Sequence, residues 1–180
     1  MRIIVTLALI SLASFAHAEK RHAGAHVHGL NHVQIVLDGT TLQVNYEFPI
    51  AQLQEHDEHK HDEHKHDKHE GDAHLTAELK EVDNIFELVR VPDSADCAQK
   101  KINLSLRDVV TDGGISEESE HKDVVVEALV TCRQPDNVTS FDFTPAFEKF
   151  DDLAMIEVEG IVGNRSLSDS LTRERALTSL

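Results

Sequence analysis

Val33, Ile35 and Leu37 fall two residues apart, and Leu42, Val44, Tyr46 and Phe48 repeat that spacing after Asp38-Gly39. Successive strand side chains point to opposite faces, so this pattern predicts two half-buried strands joined by a tight turn. Pro49 ends the second strand. Leu75, Leu79, Val82, Phe86 and Val89 then recur at spacings of four and three, which predicts an amphipathic helix closed by Pro92. Ile102, Leu104 and Leu106 alternate again, Asp112-Gly113-Gly114 turns, and Val124, Val126, Ala128 and Val130 lead into Cys132. These two segments read as paired strands. Thr144-Pro145 opens a short helix carrying Phe147 and Phe150, and a last strand runs from Met155 to Val162. The pattern predicts an α+β fold with a mainly antiparallel sheet and two helices.

Between the first hairpin and the expected helix the apolar pattern stops. Glu55 to His74 reads EHDEHKHDEHKHDKHEGDAH, with His56, His59, His61, His64, His66, His69 and His74 set among Asp, Glu and Lys. A segment without large apolar side chains cannot pack, so a loop without fixed structure is expected here, inserted into one globular domain. Its five-residue repeat spaces histidines alternately three and two apart, which keeps several ring nitrogens within reach of one ion. Neutral imidazole suits zinc, nickel and cupric ion, and the carboxylates add oxygen donors and a potential that concentrates cations. An inert solvated spacer and an acid sensor are the alternatives for such a tract.

Met1-Arg2, the apolar run Ile3 to Phe15 and Ala16-His17-Ala18 have the order of a secretory signal, so residues 1–18 are expected to be removed and 19–180 to form the exported protein. The apolar run is shorter than the roughly 20 residues of a spanning helix, which argues against stable membrane insertion. A bacterial periplasm is the expected compartment. Cys97 and Cys132 fit it, since an even cysteine count in an exported chain predicts a disulfide, worth about 3 to 4 kcal/mol on the chain-entropy model. A Cys-His metal site is the rival reading.

The formal charge of −16 becomes −17 once Arg2 leaves with the signal, which excludes nucleic acid as a partner. The absence of Trp and the single Tyr argue against a stacking platform for sugars or bases. Cuprous ion is disfavoured because Met155 is the one methionine beyond the signal.

Histidines gather a second time in HAGAHVHGLNH, at His22, His26, His28 and His32. In an extended chain His26 and His28 project to one side about 6.6 Å apart, a gap two imidazoles bridge to one tetrahedral ion. His121, just before the strand that ends at Cys132, is a candidate third ligand. An enzyme is the competing class, but a zinc-dependent hydrolase needs a firm ligand set and a carboxylate beside the bound water. The zincin motif His-Glu-x-x-His is absent, and in His26-Val-His28-Gly-Leu-Asn-His32 the Asp of a metallo-β-lactamase motif is replaced by Leu30.

Ala25-His26-Val27-His28-Gly29, the hairpin around Asp38-Gly39, Glu47-Phe48-Pro49, the paired cysteines and the Phe147 to Phe150 segment together resemble the ZrgA-like periplasmic zinc-uptake proteins. The resemblance runs from His22 to about Leu171. It implies zinc binding in the periplasm and delivery to inner-membrane uptake components, with His26 and His28 matching the motif histidines. This chain departs from the pattern in carrying its His-rich insertion after the first hairpin, whereas family members often carry it between the cysteines. A periplasmic metal buffer or a nickel or copper chaperone are the alternative functions.

Overall fold

The computed structural model describes residues 29–53, 82–108, 110–111, 114–115 and 122–180. Strand β1 (Leu30–Asp38) buries Asn31, Val33, Ile35 and Leu37 and turns His32, Gln34 and Val36 outward, as alternation requires. Strand β2 (Thr41–Pro49) returns antiparallel from Asp38 opposite Thr41, burying Leu42, Val44, Tyr46 and Phe48. The predicted hairpin is therefore present, with the predicted faces.

Strand β3 (Cys97–Asp108) pairs antiparallel with β6 (Lys122–Cys132), with a bulge between Gln99 and Lys101. Between them lies a small hairpin of β4 (Val110–Thr111) and β5 (Gly114–Ile115). Cys97 stands directly opposite Cys132, and the two form a disulfide with an S–S distance of 2.05 Å. The pair has no thiolate left for a metal, which removes the Cys-His reading.

Strands β7 (Ser140–Asp142), β8 (Met155–Val162), β9 (Arg165–Leu171) and β10 (Leu177–Ser179) complete the described part, with α1 (Thr144–Lys149) between β7 and β8. Six strands form one sheet in the order β3-β6-β2-β1-β8-β9, and β7 with β10 forms a separate pair. All neighbours in the large sheet are antiparallel except β1 and β8. That parallel pair is close: a Cβ at Gly160 would lie 2.1 Å from Ile35 O, so only glycine fits there. One face of the sheet carries the core. Tyr46, Phe48 and Ile156 share one buried cluster with Phe141, Phe143 and Phe147, and the Phe48 and Phe150 rings are 4.9 Å apart.

The expected α+β class with two helices is overturned. Among the described residues 58 % are strand and 17 % helical, and no helix reaches seven residues. The short helix at Thr144-Pro145 is present as α1, and just before it Asp142 Oδ1 accepts from Thr144 N (2.9 Å) and Oγ1 (2.6 Å). Over the described residues from Val82 on, the amphipathic helix expected to end at Pro92 is absent. Leu75 and Leu79 lie outside the described residues, and between Val82 and Pro92 the chain makes one 3-10 turn, Ile85–Glu87. Its apolar residues Val82, Ile85, Leu88 and Val89 still reach the core. The local reason is side-chain competition for backbone groups. Asn84 is extended and its Oδ1 takes the Phe86 N–H at 3.0 Å, while Gln99 of β3 accepts from Ile85 N (2.7 Å) and donates to Asp83 O (2.9 Å). Arg90 then bridges to Asp142. Spacings of four and three thus arise here from an irregular segment lying on a sheet.

Candidate metal centre

The face of the sheet opposite the core is where a polar strand residue can reach solvent. At its β1 end, His32 stands between two acids, opposite Glu47 on β2 and opposite Glu157 on β8. Residues directly paired across strands share a face, so all three project the same way. His32 Nδ1 lies 3.2 Å from Glu157 Oε2, and the two side chains keep 53 % and 43 % of their exposure. That is the distance of a direct ion pair, and it is also compatible with two donors on one tetrahedral ion with bonds of about 2.0 Å, which sit about 3.3 Å apart. Glu47 is ion-paired with Arg107 of β3.

Gly29 sets how the chain enters β1. Its φ is +79°, a left-handed value, and a Cβ there would lie 2.5 Å from Asp152 O. Its carbonyl accepts from both Ala154 N and Met155 N at 2.9 Å, which pins this residue to the start of β8. The glycine of the AHVHG motif is therefore a backbone requirement.

On the core side of the same strand end, Asn31 is fully buried and its Nδ2 donates to Tyr46 Oη at 2.9 Å. Burial pushes the Tyr46 pKa well above the ordinary phenol value, against the smaller pull of the Asn31 hydrogen bond, so Tyr46 stays neutral. Among the described residues Asn31 Oδ1 has no hydrogen-bond partner, which marks this polar pair as a costly feature of an apolar core.

Of the predicted ligands, His32 is described and meets Glu157. His22, His26, His28, His56, His59, His61, His64, His66, His69, His74 and His121 lie outside the described residues. Among the described residues no group of three or more His, Cys, Asp or Glu side chains is placed to hold a metal. The sequence singles out neither Glu157 nor Glu47 as a ligand, although Glu47 belongs to the Glu47-Phe48-Pro49 motif. The alternation in Met155 to Val162 shows that Glu157 faces solvent, but nothing local says that β8 lies beside β1.

A family model described as ZrgA family zinc uptake protein matches residues 25–180. No curated protein matches the chain.

Proposed function

We propose that this chain, which belongs to the ZrgA family of zinc uptake proteins, captures zinc in the periplasm and passes it to inner-membrane uptake machinery. The observation that carries the reading is the family match across residues 25–180, which gives a role in zinc uptake and favours binding and transport over catalysis. In this reading residues 1–18 are a cleaved signal, and 19–180 form a single zinc-binding domain interrupted at 55–74 by the His-rich insertion.

The proposed capture has two tiers. The histidines and acids of Glu55 to His74 collect zinc at many weak, exchanging positions, because a dense run of acids raises the local cation concentration. A tighter site forms where β1 begins. His32 and Glu157 supply two donors at tetrahedral spacing, and His26 and His28 are the nearest imidazoles upstream of the pinned Gly29. His22 and His121 are further candidates. Imidazoles bind zinc only when deprotonated, so loading releases protons and weakens in acid.

Zinc accumulation under zinc limitation tests this in cells lacking the protein. Reduced uptake, restored by the intact chain but not by one with His26, His28 and His32 replaced by Ala, is expected. Normal uptake with a lowered tolerance to excess zinc would instead identify a buffer.

A further inference from the structure

Strand β3 stands at one edge of the six-stranded sheet, paired with β6 on its inner side and with no described strand on its outer side. A long open edge is a template for another strand, and natural sheets blunt such edges with bulges and lysines. Here the guard covers only half. The bulge between Gln99 and Lys101, with Lys100 and Lys101 beside it, occupies the first part of β3. Ile102 to Asp108 then runs in unbroken register with β6 and contains neither proline nor lysine.

The direction of the free groups follows from one hydrogen bond. Cys132 N–H donates to Thr40 O at 2.8 Å, on the β2 side of β6. Successive residues of an antiparallel strand turn their N–H and C=O groups to opposite neighbours. Leu129, Glu127, Val125 and Asp123 therefore bond β3, through Lys101, Asn103, Ser105 and Arg107. Ile102, Leu104 and Leu106 are left with their backbone groups pointing outward. Their side chains lie on the core face, where Ile102 and Leu104 are half-buried and Leu106 is 37 % exposed.

We infer that this edge pairs with the same edge of a second copy, antiparallel about Ser105. Ser105 is the midpoint of the unguarded stretch, so the two-fold register uses all of it. Leu104 then lies opposite Leu106 of the other copy, twice, in positions that exchange both outward backbone bonds. Asn103 lies opposite Arg107, and Ser105 opposite itself. A register centred one residue earlier would set Lys101 against Arg107, like charges directly across the ladder. Charge thus disfavours that register, the Ser105 centre keeps the whole stretch paired, and the pairing covers the exposed part of Leu106.

Sedimentation of the purified protein in excess EDTA tests the inference free of metal-bridged association. A concentration-dependent monomer–dimer equilibrium is expected. Leu106→Pro removes one outward N–H while leaving every β3–β6 bond, so it should weaken dimerisation at least tenfold with an unchanged circular-dichroism spectrum. Leu106→Lys should do the same should the proline variant fail to fold. Ser105→Cys should give a disulfide-linked dimer on mild oxidation, because a non-hydrogen-bonded cross-strand pair has Cα atoms about 4.5 Å apart. Asn103→Cys should not. A protein that stays monomeric at all concentrations overturns the inference, as does a dimer untouched by both Leu106 variants. Dissociation by Ile161→Lys, on the open face of the sheet, would likewise overturn it.

Discussion

His32 and Glu157 face each other across the parallel pair of the large sheet, Nδ1 to Oε2 at 3.2 Å, on its solvent face. An exposed pair of this kind contributes little to stability, about 0 to 1 kcal/mol. His32→Ala and Glu157→Gln should therefore melt within a few degrees of the parent while losing at least about tenfold in zinc affinity, the scale set by loss of groups around a metal. Competition against a chelator of known affinity reads the second quantity. Unchanged affinity in both variants would remove the pair from the tight site.

Deleting Glu55 to His74 separates the two tiers. Calorimetric titration should show fewer zinc equivalents with the tightest class retained, and the melting transition should persist. His26→Ala with His28→Ala should produce the reverse, a lost tight class with most of the stoichiometry kept. If the deletion alone abolishes all binding, the histidine tract is the whole device.

Gly29→Ala tests the backbone anchor. The positive φ and the 2.5 Å approach to Asp152 O leave no room for a methyl group, so a loss of about 2 kcal/mol or more is expected in urea unfolding. A neutral effect would mean the start of β8 yields easily.

Tyr46→Phe removes the acceptor of the buried Asn31 amide, which should cost about 1 to 2 kcal/mol. Adding Asn31→Leu should recover part of that loss, because both ends of the polar pair are then apolar. A double-mutant cycle with no coupling would contradict the hydrogen bond.

Asp169 carries the acid dependence at the β9 end. Burial pushes its pKa up, but hydrogen bonds from Arg175, Thr178 and the Ser170 N–H, with the Arg175 charge, hold it below the ordinary value. A depressed carboxylate stabilises the fold fully above its unfolded pKa of about 3.9 and loses that contribution as pH falls through the lower folded value. Asp169→Asn should thus be less stable near neutrality and should narrow the gap to the parent below about pH 4. Parallel stability curves for the two proteins across that window would refute the assignment.

Local pattern was a good guide wherever the period was two. Val33 to Leu37, Leu42 to Phe48, Ile102 to Leu106 and Met155 to Val162 are all strands, with the expected faces in the hairpin. It failed over Val82 to Val89, because spacings of four and three describe which residues are apolar and not which groups satisfy the backbone. Gln99, from a distant strand, supplied those partners. Strand β9 went unpredicted since Ser166, Ser168 and Ser170 leave only Leu167 and Leu171 to mark a buried side.

The sequence by itself determined the chemistry on offer: imidazoles in two groups, two cysteines able to pair, and alternating strands whose faces a period of two dictates. Tertiary structure decided which strands are neighbours. Backbone hydrogen bonds are the same for every strand, so no local feature of β1 or β8 names the other as its partner. That choice was made by packing of the shared core and by the gap at Gly160, which lets β8 come close to Ile35. Because of it Glu157 stands beside His32, and because β3 has no outer neighbour among the described strands its leucines keep an open edge there.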